Sequence, residues 1–203
     1  MIEWSIAAFR GCESVRSIVV AAPPGHVGEL AGHDLGVVAG GATRAQSVSN
    51  AIAAVGSAYV AIHDAARPLL TPELVEALVA DLDADEKAAG VIAAAPVDDT
   101  IKRAVEDSSV QLGADTGVNC TLAIEATEDR SRLWRAQTPQ VFRTQALREA
   151  LAAVERPEEA TDESMLVEAA GGTVLIHPVA ERNLKVTTPL DLKVAELLLA
   201  ERA

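Results

Sequence analysis

Tyr59-Val60-Ala61-Ile62-His63-Asp64-Ala65-Ala66-Arg67-Pro68 passes from an apolar run straight into an acid, a guanidinium and a turn proline. An apolar run without alternation reads as a strand covered on both faces, here Tyr59 to His63. Asp64 and Arg67 then emerge at the C-terminal lip of the strand, which is where open α/β sheets bind ligands. An aspartate at such a lip can hold a divalent cation, and an arginine can fork onto phosphate oxygens, so the pair suggests metal-assisted phosphate chemistry. An N-capping Asp and a surface Arg before a proline turn would give the same letters.

The same apolar texture recurs at Ser17 to Ala22, Leu35 to Ala39, Gly90 to Ala94 and Thr173 to His177. Between these runs lie helical stretches at Ile2 to Arg10, Ala45 to Val55, Pro72 to Leu82, Thr144 to Val154, Asp162 to Ala170 and Leu190 to Glu201. Strands alternating with helices imply an α/β fold, a mainly parallel sheet with helices on both sides. Thr71-Pro72 and Thr188-Pro189 each supply a capping hydroxyl and a first-turn proline, and Thr161-Asp162-Glu163 adds acids at a third helix start.

With 203 residues the chain fits one domain, 1–203, long enough to bury a core without disulfides or metal. Aromatic residues make up only 2% against 49% hydrophobic, so that core is built from Ala, Val, Leu and Ile. A net charge of -13 argues against a nucleic-acid surface, and an anionic substrate must therefore meet a local cationic pocket. Lysines are scarce (Lys87, Lys102, Lys185 and Lys193), which gives weight to any lysine in a site-like setting. Cys12 and Cys120 lack the spacing of a zinc or redox pair, and His26, His33, His63 and His177 sit at unrelated places. His63 reads as a packed strand-end residue. No secretory signal or membrane-length apolar run is present, so a cytoplasmic protein without a membrane partner is expected.

Residues 100–135 break the alternation with the acidic stretch Glu106-Asp107-Ser108-Ser109, a glycine-bearing turn, and strand-like composition from Asn119 to Ile124. Structureless loops of this length are uncommon in compact domains, so a protruding β-hairpin arm is expected. Such an arm needs a surface to lie on, and a second subunit is the obvious candidate.

Five further segments carry chemistry. Gly40-Gly41-Ala42-Thr43-Arg44-Ala45-Gln46-Ser47-Val48 follows a strand and opens a helix, so backbone can approach a ligand closely there and hydroxyls can read a base edge. Pro96-Val97-Asp98-Asp99-Thr100-Ile101-Lys102-Arg103 ends a strand with a hydroxyl and two cations, and Asp129-Arg130-Ser131-Arg132 places two arginines beyond the arm. Either could equally be a solvated face. Trp134 to Phe142 reads as core packing around a proline turn for its two aromatics. Asn183-Leu184-Lys185-Val186-Thr187-Thr188 sets Lys185 in a short apolar strand before a capped helix, where an ammonium must be paired or ligand-facing.

Taken in order, GGATRAQSV (Gly40 to Val48), HDAARP (His63 to Pro68), AAPVDDTIKR (Ala94 to Arg103), LWRAQTPQVF (Leu133 to Phe142), ATDE (Ala160 to Glu163) and NLKVTTPLDL (Asn183 to Leu192) resemble the 2-C-methyl-D-erythritol 4-phosphate cytidylyltransferase family over nearly the whole chain. The resemblance implies a Rossmann-like nucleotidyltransferase sheet, a homodimer formed through the arm, and a reaction of the non-mevalonate isoprenoid route. In that reaction CTP and the polyol phosphate give a CDP-alcohol and pyrophosphate with Mg²⁺. A cytidylyltransferase for another polyol phosphate, such as ribitol 5-phosphate, and a catalytically silent paralogue acting as an interaction protein are the alternatives.

Carried over motif by motif, Gly41 and Ser47 would approach the cytosine, while Asp64 and Ala65 would lie near the ribose, metal and substrate hydroxyls. Lys185 would steady the reacting phosphates. Arg130 resembles the arm arginine that positions the substrate phosphate, with Arg132 as its rival because the arm is longer than the family's. Arg67, Thr100, Thr138 and Thr161 would be further substrate contacts. Family members also open with a strand, a glycine-rich loop and a Pro-Lys pair, to which nothing before Met1-Ile2-Glu3-Trp4 corresponds. The expectation is therefore an N-terminally truncated fold with weak activity as written.

Overall fold

The computed structural model describes residues 1–30, 34–105, 122–180 and 183–202. The chain divides into two compact units, one made of residues 1–94 with 136–203 and the other of residues 95–135.

In the first unit α1 (Ile2–Arg10) is followed by β1 (Val19–Ala22), β2 (Gly36–Ala39), α2 (Arg44–Ile52), β3 (Tyr59–Ile62), α3 (Pro72–Ala84) and β4 (Ala88–Pro96). Two short strands of the other unit, β5 (Lys102–Ala104) and β6 (Ile124–Thr127), come next in the chain. After them run β7 (Trp134–Arg143), α4 (Thr144–Ala153), α5 (Glu163–Ala169), β8 (Thr173–Pro178) and α6 (Pro189–Ala200). The expected capping holds: Thr71, Asp162 and Thr188 accept from the Leu74, Met165 and Asp191 amides, and Thr188 with Asp191 closes a full capping box.

The strands form a four-stranded sheet in the order β3-β7-β4-β8 and a separate two-stranded ladder, β1-β2. β4 runs parallel to β8 and β1 parallel to β2, but β3 and β7 are antiparallel, with Val60 opposite Phe142 and Ile62 opposite Gln140. The fold is α/β with parallel pairing as the alternation implied, and the principal sheet also holds an antiparallel pair, β3 with β7. The element responsible is β7, which the sequence presents as a proline turn. A proline inside a run demotes it as an interior strand, yet Pro139 sits buried in β7 after a cis peptide bond from Thr138.

Side-chain alternation along β4 and β7 sorts the core onto two faces. Val91, Ala93 and Val141 meet Leu78 and Leu82 of α3, whereas Ile92 and Phe142 meet Leu147 of α4, Leu166 of α5 and Ile52 of α2. Both faces being covered explains the unbroken apolar runs. Gly90 is required by this packing, because a Cβ there would stand 2.3 Å from Phe142 Cδ1. Phe142 is fully buried as expected, while Trp134 keeps 38% of its surface and is not a core residue.

Among the described residues only one edge of β1 and one edge of β3 is used in pairing. A cavity of about 340 Å³ lies beside them, lined by residues 14–19 leading into β1 on one side and residues 57–63 on the other. An adjoining cavity of about 290 Å³ is closed over by Ile2, Ile6 and Phe9 of α1 and by Val48 and Ala51 of α2.

In the second unit β5 and β6 pair antiparallel, with Lys102 opposite Thr127 and Arg103 opposite Ala126. Lys102 Nζ donates to Thr127 Oγ1 at 2.7 Å, and Arg103 pairs with Glu128. The expected acidic stretch Glu106 to Ser109, the glycine-bearing turn, and Asn119 and Cys120 lie outside the described residues, as does His33. Among the described residues no helix is long and apolar enough to cross a membrane.

Candidate active site

Where β3 ends, the chain turns so that the Arg67 N–H donates to the Asp64 carbonyl at 2.9 Å. The Asp64 amide donates to Thr138 Oγ1 at 3.0 Å, fixing the lip to the interior strand β7. His63 lies between these groups, with Nε2 at 3.1 Å from the Arg67 carbonyl and Nδ1 at 3.1 Å from Thr138 Oγ1. A carbonyl only accepts, so the bonding pattern assigns the proton to Nε2 and leaves Nδ1 to accept from the threonine. Burial lowers the His63 pKa from 6.5 to about 4, which keeps the ring neutral. Its edge packs on Phe9 with the centroids 5.7 Å apart.

The segment carrying Lys185 is laced to this lip. Arg67 Nη1 donates to the Asn183 carbonyl at 2.7 Å, Asn183 Nδ2 donates to the Thr138 carbonyl at 2.6 Å, and the Val186 amide donates to the Ala66 carbonyl at 2.8 Å. Lys185 is therefore in an extended loop held from the side, not in the strand that its apolar neighbours suggest. Its Nζ reaches Asp64 Oδ2 at 2.9 Å.

On the other side of Asp64, the turn from β2 into α2 is fastened by its own side chains. The Gly41 amide donates to Ser47 Oγ at 3.0 Å, the Ala42 amide to Gln46 Oε1 at 2.9 Å, and Thr43 caps α2. A Cβ on Gly41 would fall 2.3 Å from Gln46 Cγ, so glycine is needed for this close turn. Arg44, the first residue of α2, turns Nε and Nη2 toward Asp64 Oδ1, each at 3.4 Å, and Nη1 toward Glu163 Oε1 at 2.5 Å.

The charges settle one another. Burial alone would raise the Asp64 pKa, but the hydrogen bond from Lys185 and the nearby Arg44 outweigh it and hold the carboxyl below its ordinary range. Burial by itself would lower Arg44, yet Glu163 and then Asp64 keep the guanidinium above its usual value. Glu163 goes the other way: burial pushes it up, and Arg44 offsets this only in part. The Arg67 pKa is lowered by burial, with Asp64 opposing.

The structure thus brings Asp64, Ala65, Arg67, Thr138 and Lys185 to one lip, with Gly41 and Ser47 at the adjoining turn. Thr138 is 4% exposed and serves as an internal brace, and Ala65 is exposed. Thr161 is exposed just before α5. Thr100, exposed, and Arg130 and Arg132, on a three-residue 3-10 turn capped by Asp129, belong to the second unit. Among the described residues no group of three His, Cys, Asp or Glu side chains could hold a metal ion. Asp64 is a lone carboxylate, which fits a cation that arrives with substrate phosphates rather than an all-protein cage.

Four members of the cluster were not expected from the sequence. Gln140, 1% exposed, accepts from the Ser164 amide at 3.3 Å and donates to Asp162 Oδ2 at 2.9 Å. It ties β7 to α5, where Glu163 meets Arg44, and Asn183 completes the set. A signal did exist: Arg44 is a cation at a helix N-terminus, where the dipole disfavours it, and so needs another partner.

Residues 1–201 match the family described as IspD, 2-C-methyl-D-erythritol 4-phosphate cytidylyltransferase. The chain belongs to this family. It is 40% identical over 215 residues to the 2-C-methyl-D-erythritol 4-phosphate cytidylyltransferase of Burkholderia multivorans (strain ATCC 17616 / 249), covering 100% of this chain and 85% of that protein. A bifunctional enzyme IspD/IspF of Anaeromyxobacter sp. (strain Fw109-5) is 44% identical over 200 residues, covering 95% of this chain. The chain spans 48% of that relative's length. The crystal structure of 2-C-methyl-D-erythritol 4-phosphate cytidylyltransferase from Thermus thermophilus aligns with a TM-score of 0.78 at 32% identity, over 98% of this chain and 88% of that one. The lip motifs therefore belong to a cytidylyltransferase framework, and the enzyme class is a CTP-dependent nucleotidyltransferase.

Proposed function

We propose that this chain transfers the cytidylyl group of CTP to 2-C-methyl-D-erythritol 4-phosphate in the non-mevalonate route to isoprenoid precursors. A phosphate oxygen of the polyol phosphate attacks the α-phosphorus of CTP, the bond from that phosphorus to the bridging oxygen breaks, and pyrophosphate leaves. The protein forms no covalent bond, so its work is positioning and charge stabilisation. The observation that carries the reading is the Lys185–Asp64–Arg44 cluster, in which a lone carboxylate is flanked by two cations at a strand lip.

In this reading Lys185 and Arg44 meet phosphate oxygens, and the turn at Gly41 and Ser47 receives the base. Asp64 and Ala65 face the ribose and the substrate hydroxyls. Arg130 positions the phosphate of the second substrate, with Arg67, Thr100, Thr138 and Thr161 completing the contacts or holding them in place. Mg²⁺, bound when CTP is bound, would rest on Asp64 and supply charge neutralisation at the phosphates. Two copies joined through residues 100–135 form the working unit, and the cytoplasm is its compartment.

The test is pyrophosphate release by the purified full polypeptide with CTP, Mg²⁺ and 2-C-methyl-D-erythritol 4-phosphate, with the CDP-alcohol followed by phosphorus NMR. Ribitol 5-phosphate serves as the competing acceptor. Product from methylerythritol phosphate in clear preference supports the proposal. Preference for ribitol 5-phosphate, or no CTP consumption with either, overturns it.

A further inference from the structure

Glu163 opens α5 and is 1% exposed, yet the helix does not need it as a cap. Asp162 already fills that place, accepting from the Met165 amide at 3.0 Å and from Ser164 Oγ at 2.9 Å. A carboxylate withdrawn from water is costly unless its lone pairs are met, and Glu163 Oε2 is buried without a hydrogen-bond partner. An apolar side chain would pack there at lower cost. On the facing helix Arg44 is equally unexplained by local structure, since Thr43 caps α2 and a cation in the first turn opposes the helix dipole.

The two oddities explain each other. Arg44 Nη1 is drawn to Glu163 at 2.5 Å, while Nε and Nη2 stand 3.4 Å from Asp64 Oδ1. A free arginine fork would close on a carboxylate at about 2.7–2.9 Å through two parallel bonds. Here it is pulled back, and Gln140 secures the point of pull by holding both Asp162 and the Ser164 amide.

We infer that Glu163 is a positioning residue that holds one nitrogen of the Arg44 fork, so that the guanidinium engages Asp64 only at long range and stays turned to an incoming nucleoside triphosphate. The inference rests on the cytidylyl transfer proposed above. Without the tether the fork collapses onto Asp64, and both groups are withdrawn from the ligand.

Glu163→Gln keeps the shape and removes the charge. In the full polypeptide kcat/KM for CTP falls roughly 10- to 100-fold, with KM rising more than kcat falls, because geometry rather than a reacting group is lost. On an Arg44→Ala background the same change has no further effect, as expected for a residue that acts only through Arg44. An unchanged kcat/KM, or a loss as large on the Arg44→Ala background as alone, overturns the inference. Nitrogen NMR of the arginine side chains reads the tether without turnover. The Arg44 guanidinium rotates slowly in the wild-type protein and fast in Glu163→Gln, and fast rotation in the wild type overturns the tether. Slow rotation in a wild-type protein that turns over no CTP upholds the tether and rejects the transfer reaction instead.

Discussion

Arg67 Nη1 donates to the backbone carbonyl of Asn183 at 2.7 Å, so a guanidinium at the strand lip fastens the loop that delivers Lys185. A lysine is shorter and carries its donors on one compact ammonium, so it does not place a nitrogen where Arg67 Nη1 sits. Arg67→Lys is expected to lower turnover roughly 10- to 100-fold and to speed hydrogen exchange of the Val186 amide, which bonds to Ala66. Mass-spectrometric exchange over residues 183–188 beside a rate assay checks both, and wild-type values for the two would rule the fastening out.

Lys185→Ala removes the partner of Asp64 Oδ2. The Lys185 side chain is 46% exposed, so the pair adds little to stability and the thermal midpoint should barely move. Turnover should fall on the order of 100-fold or more, the scale seen when one donor to developing charge is lost. A variant that melts normally and turns over at the wild-type rate would remove Lys185 from the reacting phosphates.

His63 carries a stability effect in acid. Its folded pKa, about 4, lies below the ordinary 6.5, so the unfolded chain binds the proton more readily between those values. The contribution is complete above pH 6.5 and is lost as pH falls toward 4, by roughly 3 kcal/mol at most. Urea unfolding at pH 7 and pH 4.5 should show a smaller difference for His63→Gln than for the wild type. Equal differences would mean that the ring is not held neutral.

Gly90→Ala places a methyl 2.3 Å from the Phe142 ring and 3.1 Å from the Val141 carbonyl in the middle of the sheet. Overpacking of this kind costs roughly 1–3 kcal/mol. Chemical denaturation should give a lower midpoint with an unchanged slope, and a midpoint equal to the wild type would show that Phe142 has room to move.

Apolar runs declare strands in the sequence, which is why β1, β2, β3, β4 and β8 lie within those runs or overlap them closely, although only β4 is buried along nearly its whole length while β2 and β8 keep exposed positions. β7 is not declared in this way, because its buried Gln137, Thr138 and Gln140 serve the site and its proline argues against an interior strand. The lip was legible through its company: an acid and an arginine after an apolar run also suit a capped turn, and the other motifs in chain order are what single them out. Arg44 and Glu163 were hidden because their partnership spans 119 positions of chain, and no local pattern links them. Lys185 was expected to be paired or ligand-facing and meets Asp64, but its loop resembles a strand because the bonds that hold it come from Arg67, Thr138 and Ala66 rather than from a ladder neighbour.

Among the described residues the cavity beside β1 and β3 lies between the β1-β2 ladder and the four-stranded sheet, two blocks with no ladder joining them, and α1 and α2 close over the adjoining space. That makes it a fault line. Water or strain entering there can part the blocks without breaking one ladder bond, and amides on the β1 and β3 margins should therefore open to solvent well before those of β4. Margins bared in this way are adhesive toward any extended chain, so the behaviour of this protein at high concentration turns on how firmly two helices keep that seam shut.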